Sequence, residues 1–112
     1  MVPCYVLTVD VYCDDPSCVE EWQIHEQVKP CLSRLHDLQG SFDRRKSTID
    51  YYYPPFQHSK SEFLFARGVV MVSVGKSRAE SLTRLYQSIV DLLVLELPHL
   101  EVRAQIRKFQ FS

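Results

Sequence analysis

The chain has 112 residues, 46% hydrophobic and 24% charged, with 13 Lys and Arg against 14 Asp and Glu. That length suits a single domain, because halves of it would be too small to bury an adequate core, and the composition excludes a disordered or fibrous chain. A net charge of −1 makes a poor general-purpose phosphate binder, whose affinity comes from neutralising phosphates with Lys and Arg, and leaves room only for a local basic patch.

The segment Met1-Val2-Pro3-Cys4-Tyr5-Val6 lacks the basic and apolar regions of a secretory peptide. The most apolar helical stretch, Ile89 to Leu97, carries Asp91 and Glu96 and is too short to cross a bilayer. These features predict a cytoplasmic protein that does not span a membrane, with Cys4, Cys13, Cys18 and Cys31 as thiols rather than disulfides.

Residues 4–12 alternate. Tyr5, Leu7, Val9 and Val11 share one face, and Val6, Thr8, Asp10 and Tyr12 the other, which predicts a strand. Asp14-Asp15-Pro16-Ser17 reads as a helix start, with Ser17 and Glu20 at capping-box spacing. The helix that follows presents Ile24, Val28, Cys31, Leu32 and Leu35 on one stripe, is kinked at Pro30, and ends near Gly40. Ile49, Tyr51 and Tyr53 alternate as a half-exposed strand that Pro54-Pro55 should stop, leaving a loop to Ser61.

Phe63 to Val74 is the most apolar strand and is expected to be central. Phe63, Phe65, Val69 and Met71 fall on one face, and Leu64, Ala66, Val70, Val72 and Val74 on the other. Gly75 ends it, and Ser77 with Glu80 predicts the cap of a second helix. That helix carries a core stripe of Leu82, Leu85, Tyr86, Ile89 and Leu93. Its later half is apolar nearly all round, as a subunit interface would be. Pro98 stops it. The last strand, Leu100 to about Arg107, points Leu100, Val102, Ala104 and Ile106 inward, after which Phe109 and Phe111 break the parity.

The element order is β-α-β-β-α-β in an α+β protein, with a four-stranded sheet and two helices on one face. Two architectures share that order. One is a pair of consecutive βαβ units, as in tautomerases; the other is a ferredoxin-like sandwich, whose middle strands form a hairpin.

The stretch Gly75-Lys76-Ser77-Arg78-Ala79-Glu80, a strand end opening a helix with an early acid, resembles the tautomerase superfamily. Within it the chain is most similar to the 5-carboxymethyl-2-hydroxymuconate isomerase branch. Arg44-Arg45-Lys46, Asp50-Tyr51-Tyr52 and Phe63-Leu64-Phe65-Ala66 stand where that branch has its Arg-x-Arg strand, Asp-x-Tyr element and aromatic strand. The resemblance implies an isomerase of small enol or keto acids, with no cofactor and no metal, assembled as a trimer; a dimer would go with the ferredoxin-like arrangement. It implies Pro3 as the proton carrier, Arg44 or Arg45 as the holder of a substrate carboxylate, and Tyr51 or Tyr52 against the intermediate. In this sequence Pro3 follows Met1 and Val2, so its nitrogen is an amide. It becomes a base only in a chain that begins at Pro3.

Without the resemblance, Arg44, Arg45 and Lys46 are a solvated basic strand end, the tyrosines lie at a sheet edge, and Pro3 opens a strand. The second function class is then a non-enzymatic module that binds a small ligand or a protein. The tyrosines, Pro54-Pro55, Phe56 and His58 form an aromatic segment able to rim a pocket.

Three other readings have less support. RNA-binding domains of this element order stack bases on third-strand aromatics, but Arg67-Gly68 is followed here by Val69, Met71 and Val74, so no nucleic-acid partner is expected. Cys13, Cys18, Cys31, His25 and His36 lack the paired spacing of a metal site. Cys18 in a first helical turn is a candidate reactive thiol, opposed by Glu20 and Glu21.

Overall fold

The computed structural model describes residues 3–13, 21–41, 43–59, 62–98 and 100–109. Strand β1 (Cys4–Cys13) leads to helices α1 (Glu21–Leu32) and α2 (Arg34–Ser41). Strands β2 (Asp43–Ser59) and β3 (Glu62–Ser73), helix α3 (Lys76–Glu96) and strand β4 (Glu101–Phe109) follow. The strands form one four-stranded sheet in the order β2-β3-β1-β4. Strand β1 is antiparallel to β3 and β4, and β2 is antiparallel to β3.

The α+β class is as the pattern predicts, and so is the element order, except that two helices stand where it predicts one between β1 and β2. Of the two architectures, the chain adopts the ferredoxin-like one. Only two residues separate Ser59 from Glu62, and a parallel pairing of β2 with β3 would need a crossover of about a dozen residues. The resulting hairpin places β3, not β2, beside β1.

The alternation of β1 is realised. Leu7, Val9 and Val11 are fully buried with Val70 and Val72 of β3, and the buried residues of all three helices join the same cluster. That face of the sheet is therefore the helix side. Strand β3 departs from strict alternation. Its pairing with β1 slips between Val11 and Tyr12, so that Val11 faces Ala66 while Tyr12 faces Leu64. The extra residue, Phe65, turns into the helix-side core together with Ala66, and Leu64 goes to the other face. A period-two reading puts Phe65 and Ala66 on opposite faces, and the bulge corrects it.

Other expectations shift for similarly local reasons. The first helix is not one kinked helix but two that meet at Ser33, giving three helices on the sheet among the described residues. Pro30 has no N–H to return to the preceding turn. The chain re-closes through Ser33, whose N–H donates to the Lys29 carbonyl at 3.0 Å and whose Oγ donates to the Pro30 carbonyl at 2.9 Å. Pro54-Pro55 does not end β2. The strand continues to Ser59 after a register slip between Tyr51 and Phe56, which an edge strand tolerates because one set of its amides has no strand partner. Helix α3 is capped by the backbone of Gly75 with no side-chain cap, so Ser77 lies inside the helix rather than at its N-cap. Leu85, expected in the core stripe, is 45% exposed, whereas Leu82, Tyr86, Ile89, Val90 and Leu93 are buried. Strand β4 keeps an unbroken register, so Phe109 stays on the face opposite the helices, beside Cys4. The expected helix start at Asp14–Glu20, and Cys18 and Phe111, lie outside the described residues.

Gly68 sets how closely the helices approach the sheet. It sits at mid-sheet, opposite Val9 on one side and Ile49 on the other. A Cβ there would lie 2.5 Å from Leu35 Cδ1, and Leu35 is fully buried. Gly68→Ala is expected to lower stability by about 1–3 kcal/mol through overpacking. In urea denaturation, Leu35→Val should offset part of that loss, so the double variant costs less than the sum of the singles; strict additivity would remove this contact as the cause.

Candidate functional site

The face of the sheet away from the helices carries the chemistry. Among the described residues its buried members are Leu64, Tyr12, Cys4 and Ser73, which lie outside the helix-side cluster. Val6, Thr8, Asp10, Arg67, Val69 and Met71 are half-buried there.

Antiparallel register lines up one charged residue from each strand across this face. Asp50 of β2 pairs with Arg67 of β3, Arg67 with Asp10 of β1, and Asp10 with Arg103 of β4. The signs alternate across the sheet. Arg67 donates to both oxygens of Asp10, from Nε at 2.8 Å and from Nη2 at 3.1 Å, the fork geometry that only arginine supplies. The Asp10 carboxylate, backed by Tyr52 and Tyr12, holds the Arg67 guanidinium well above its ordinary pKa despite partial burial. The Tyr12 hydroxyl donates to Asp10 Oδ2 at 3.5 Å.

Arg103 lies over the Tyr12 ring, 4.2 Å from its centroid. From there it reaches Glu62 at 2.5 Å and Glu101 at 2.9 Å. Beside this row stand Leu64 and, opposite it in the register, Phe56, which is 59% exposed and 6.4 Å from the Tyr52 ring. One end of the open face is therefore ionic and aromatic, and the middle, at Val6, Val69 and Met71, is apolar.

The residues singled out for small-acid chemistry are distributed differently. Pro3 precedes β1, half-buried, and its carbonyl accepts the Val74 N–H at 3.4 Å. Cys4 and Asp43 flank Ser73 on its two sides, so the backbones of Pro3 and of Arg44 and Arg45 reach the same end of the sheet, about 10 Å apart across β3. Arg45 occupies a register slip between Arg44 and Lys46. The side chains of Arg44 and Arg45 lie outside the described residues.

Tyr51 pairs with Ala66, six residues along β3 from the Val72 partner of Arg44, or about 20 Å away. Its side chain packs against the helix-side core with Lys29 Nζ 5.5 Å from the ring centre, while Tyr52 belongs to the open face. The structure thus joins Pro3 to the arginine pair at the level of the backbone, and separates both from the tyrosines.

Thiol chemistry has little support here. Cys4, Cys13 and Cys31 are buried, and burial with the nearby Glu96 pushes the Cys31 thiol above its usual range. Among the described residues no cluster of three His, Cys, Asp or Glu could hold a metal ion, and no helix is long and apolar enough to cross a membrane.

Sequence reading placed Asp10 and Tyr12 on one face of β1, but did not join them with Arg67 and Arg103 into a site. The missing links were the β1–β4 adjacency and the slip at Phe65, which together decide where Arg67 and Leu64 stand.

Beneath the row, α3 is pinned to the sheet by Tyr86. Its hydroxyl donates to the Thr8 carbonyl at 2.5 Å, with the Gln105 carbonyl at 3.3 Å, and burial pushes its pKa up to about 12. A raised pKa favours the neutral form in the folded state, so stability is fully present below the unfolded value near 10 and falls as pH rises from about 10 toward 12. Tyr86→Phe should cost about 1 kcal/mol at neutral pH and weaken this alkaline decline. An unaltered alkaline profile in pH-dependent denaturation would assign the decline to other groups.

The Asp10–Arg67 pair should matter more than the exposed Arg84–Glu80 pair of α3. Arg67→Gln is expected to cost about 1–2 kcal/mol and Arg84→Gln no more than about 0.5 kcal/mol, read from urea midpoints. Equal costs would show the row to be as solvent-screened as a helix-surface pair.

No protein-family model matches the chain, and no curated protein matches it. Solved structures match over nearly its whole length. The de novo designed protein Foldit4 has 10% identity and a TM-score of 0.59, covering 96% of this chain and 99% of its own. A dimeric ferredoxin-like protein of unknown function from Thermobifida fusca has 11% identity and a TM-score of 0.46, covering 96% and 92%. CPII from Thiomonas intermedia K12, bound to ADP, AMP and acetate, has 9% identity and a TM-score of 0.31, covering 99% and 94%. At 10% identity the likeness to Foldit4 extends to the fold alone.

Proposed function

We propose that this protein is a non-enzymatic binding module of ferredoxin-like fold, whose working surface is the uncovered face of its sheet and whose partner is a protein. The observation that carries this reading is the make-up of that face. An antiparallel sheet exposed to water on one side ordinarily alternates apolar inward with polar outward. Here the outward residues of the two central strands include Val6, Tyr12, Leu64, Val69 and Met71, around the Asp10–Arg67 pair, whose charges already meet each other.

A small enol acid needs a compact pocket with a few convergent polar groups. The residues suited to that chemistry stand about 20 Å apart along β3, with Tyr51 turned toward the helices. The tautomerase-like reading keeps only Pro3 and the arginine pair in one neighbourhood, and needs a free prolyl amine.

The test is direct. A chain prepared to begin at Pro3 is given a 2-hydroxy-dienoate, and ketonisation is followed by absorbance. The expected rate equals that of buffer. A faster rate, abolished when the N-terminal proline is replaced by alanine, would overturn the binding-module reading and restore the isomerase.

A further inference from the structure

Resting on that reading, we propose that the occupant of the uncovered face is a second copy of this chain, related by a two-fold axis that runs parallel to the strands, midway between β3 and β1. The order of charges across the sheet selects this geometry. From β2 to β4 the row reads Asp50, Arg67, Asp10, Arg103: negative, positive, negative, positive. Such a row is antisymmetric about its midpoint.

Stacking two such faces about an axis parallel to the strands exchanges β3 with β1 and β2 with β4. Arg67 then faces Asp10 of the second copy, and Asp50 faces Arg103 of the second copy. Symmetry repeats both contacts, as an isologous interface requires. An axis perpendicular to the strands, along the row, would set Asp50 on Asp50 and Arg67 on Arg67, and like charges directly opposed are unfavourable. Within this row the charges are complementary in one orientation and repulsive in the other; at the level of Met71 and Val6 the same strand-parallel axis brings the backbone position of Lys46 opposite that of Arg107 of the second copy, a like-charge pair at the outer edge.

The apolar middle obeys the same operation. Met71 is level with Val6, and Val69 with Thr8. The strand-parallel axis sets Met71 on Val6 of the second copy and Val69 on Thr8 of the second copy, so that the two sheets bury a shared apolar centre in an aligned stack about 10 Å thick. Arg67 and Asp10 enter that contact already bonded to each other, and Arg103 already meets Glu62 and Glu101, which limits the cost of removing them from water. A chain of net charge −1 opposes self-association only weakly.

The experiment is a charge-swap heterodimer measured by sedimentation velocity on the full chain. The wild type should sediment with twice the 13.1 kDa mass of one chain. Asp50→Arg alone sets two guanidinium groups against each other at the outer contact, and Arg103→Glu alone sets two carboxylates against each other there. Each should weaken self-association at least about tenfold while circular dichroism shows both folded.

Mixing the two variants restores opposite charges at one outer contact, where the introduced arginine meets the introduced glutamate, and leaves the native Arg103 and Asp50 facing each other at the other, so the mixture should recover the dimer. A wild type that is monomeric or trimeric at 100 micromolar (a protein concentration on the order of those at which weak dimers form) overturns the proposal. So do single variants that remain dimeric, or a mixture that fails to pair. Any of these leaves the binding-module reading standing with a different partner; that reading falls only to turnover by the chain beginning at Pro3.

Discussion

Strand β1 is hydrogen-bonded along both edges, to β3 and to β4, and its residues alternate between two environments that share nothing but its backbone. Leu7, Val9 and Val11 close the helix-side core, while Asp10 and Tyr12 organise the opposite face through Arg67 and Arg103. A slip of one residue in this strand would drive Asp10 into the core and the valines into water. The burial of three β-branched or leucine side chains therefore holds the charge row in place. Core and site share one register, and neither could be redesigned without the other.

The helix layer is adjusted to that register by local exceptions to regularity. Pro30 breaks what would have been a single helix, and the break at Ser33 gives Leu35 an approach separate from that of Leu32. Gly68 leaves the space that Leu35 fills. Tyr86 sends its hydroxyl down to the Thr8 carbonyl, which ties α3 to the junction of β1 and β4. Strand β4 otherwise has little cover, with most of its residues exposed. A strand so lightly packed is held mainly by its ladder to β1, so this buried tyrosine contributes more to β4 than a residue of the same type would in the centre of the sheet.

The open face sets charge against apolar burial. Isolated surface ion pairs contribute little because water screens them and side chains lose entropy in forming them. The row across this sheet differs in being fixed by backbone register and in having an aromatic floor beneath Arg103. Its arginines are already engaged by carboxylate partners, Arg67 by Asp10 and Arg103 by Glu62 and Glu101, rather than free to bind an arbitrary anion.

Much of the fold was legible from the residues. The alternation of β1, the apolar character of β3 and most of the buried stripe of α3 follow from periods of two and of 3.6, because apolar burial acts on each element separately; of the residues expected inward on β4, Ala104 and Ile106 are exposed, because among the described residues no helix covers that part of the sheet edge. The resemblance that pointed to Pro3, Arg44, Arg45, Tyr51 and Tyr52 rested on order along the chain, and order does not tell distance. Tertiary structure decided which strands are neighbours, since loop length and pairing energy act between elements. It decided that Phe65 turns inward at a bulge, because only the partner strand defines a slip. It also decided that Asp50, Arg67, Asp10 and Arg103 stand in one row. Those four residues come from four separate strands, and no local period relates them; their alignment exists only once backbone hydrogen bonds have set three registers at once.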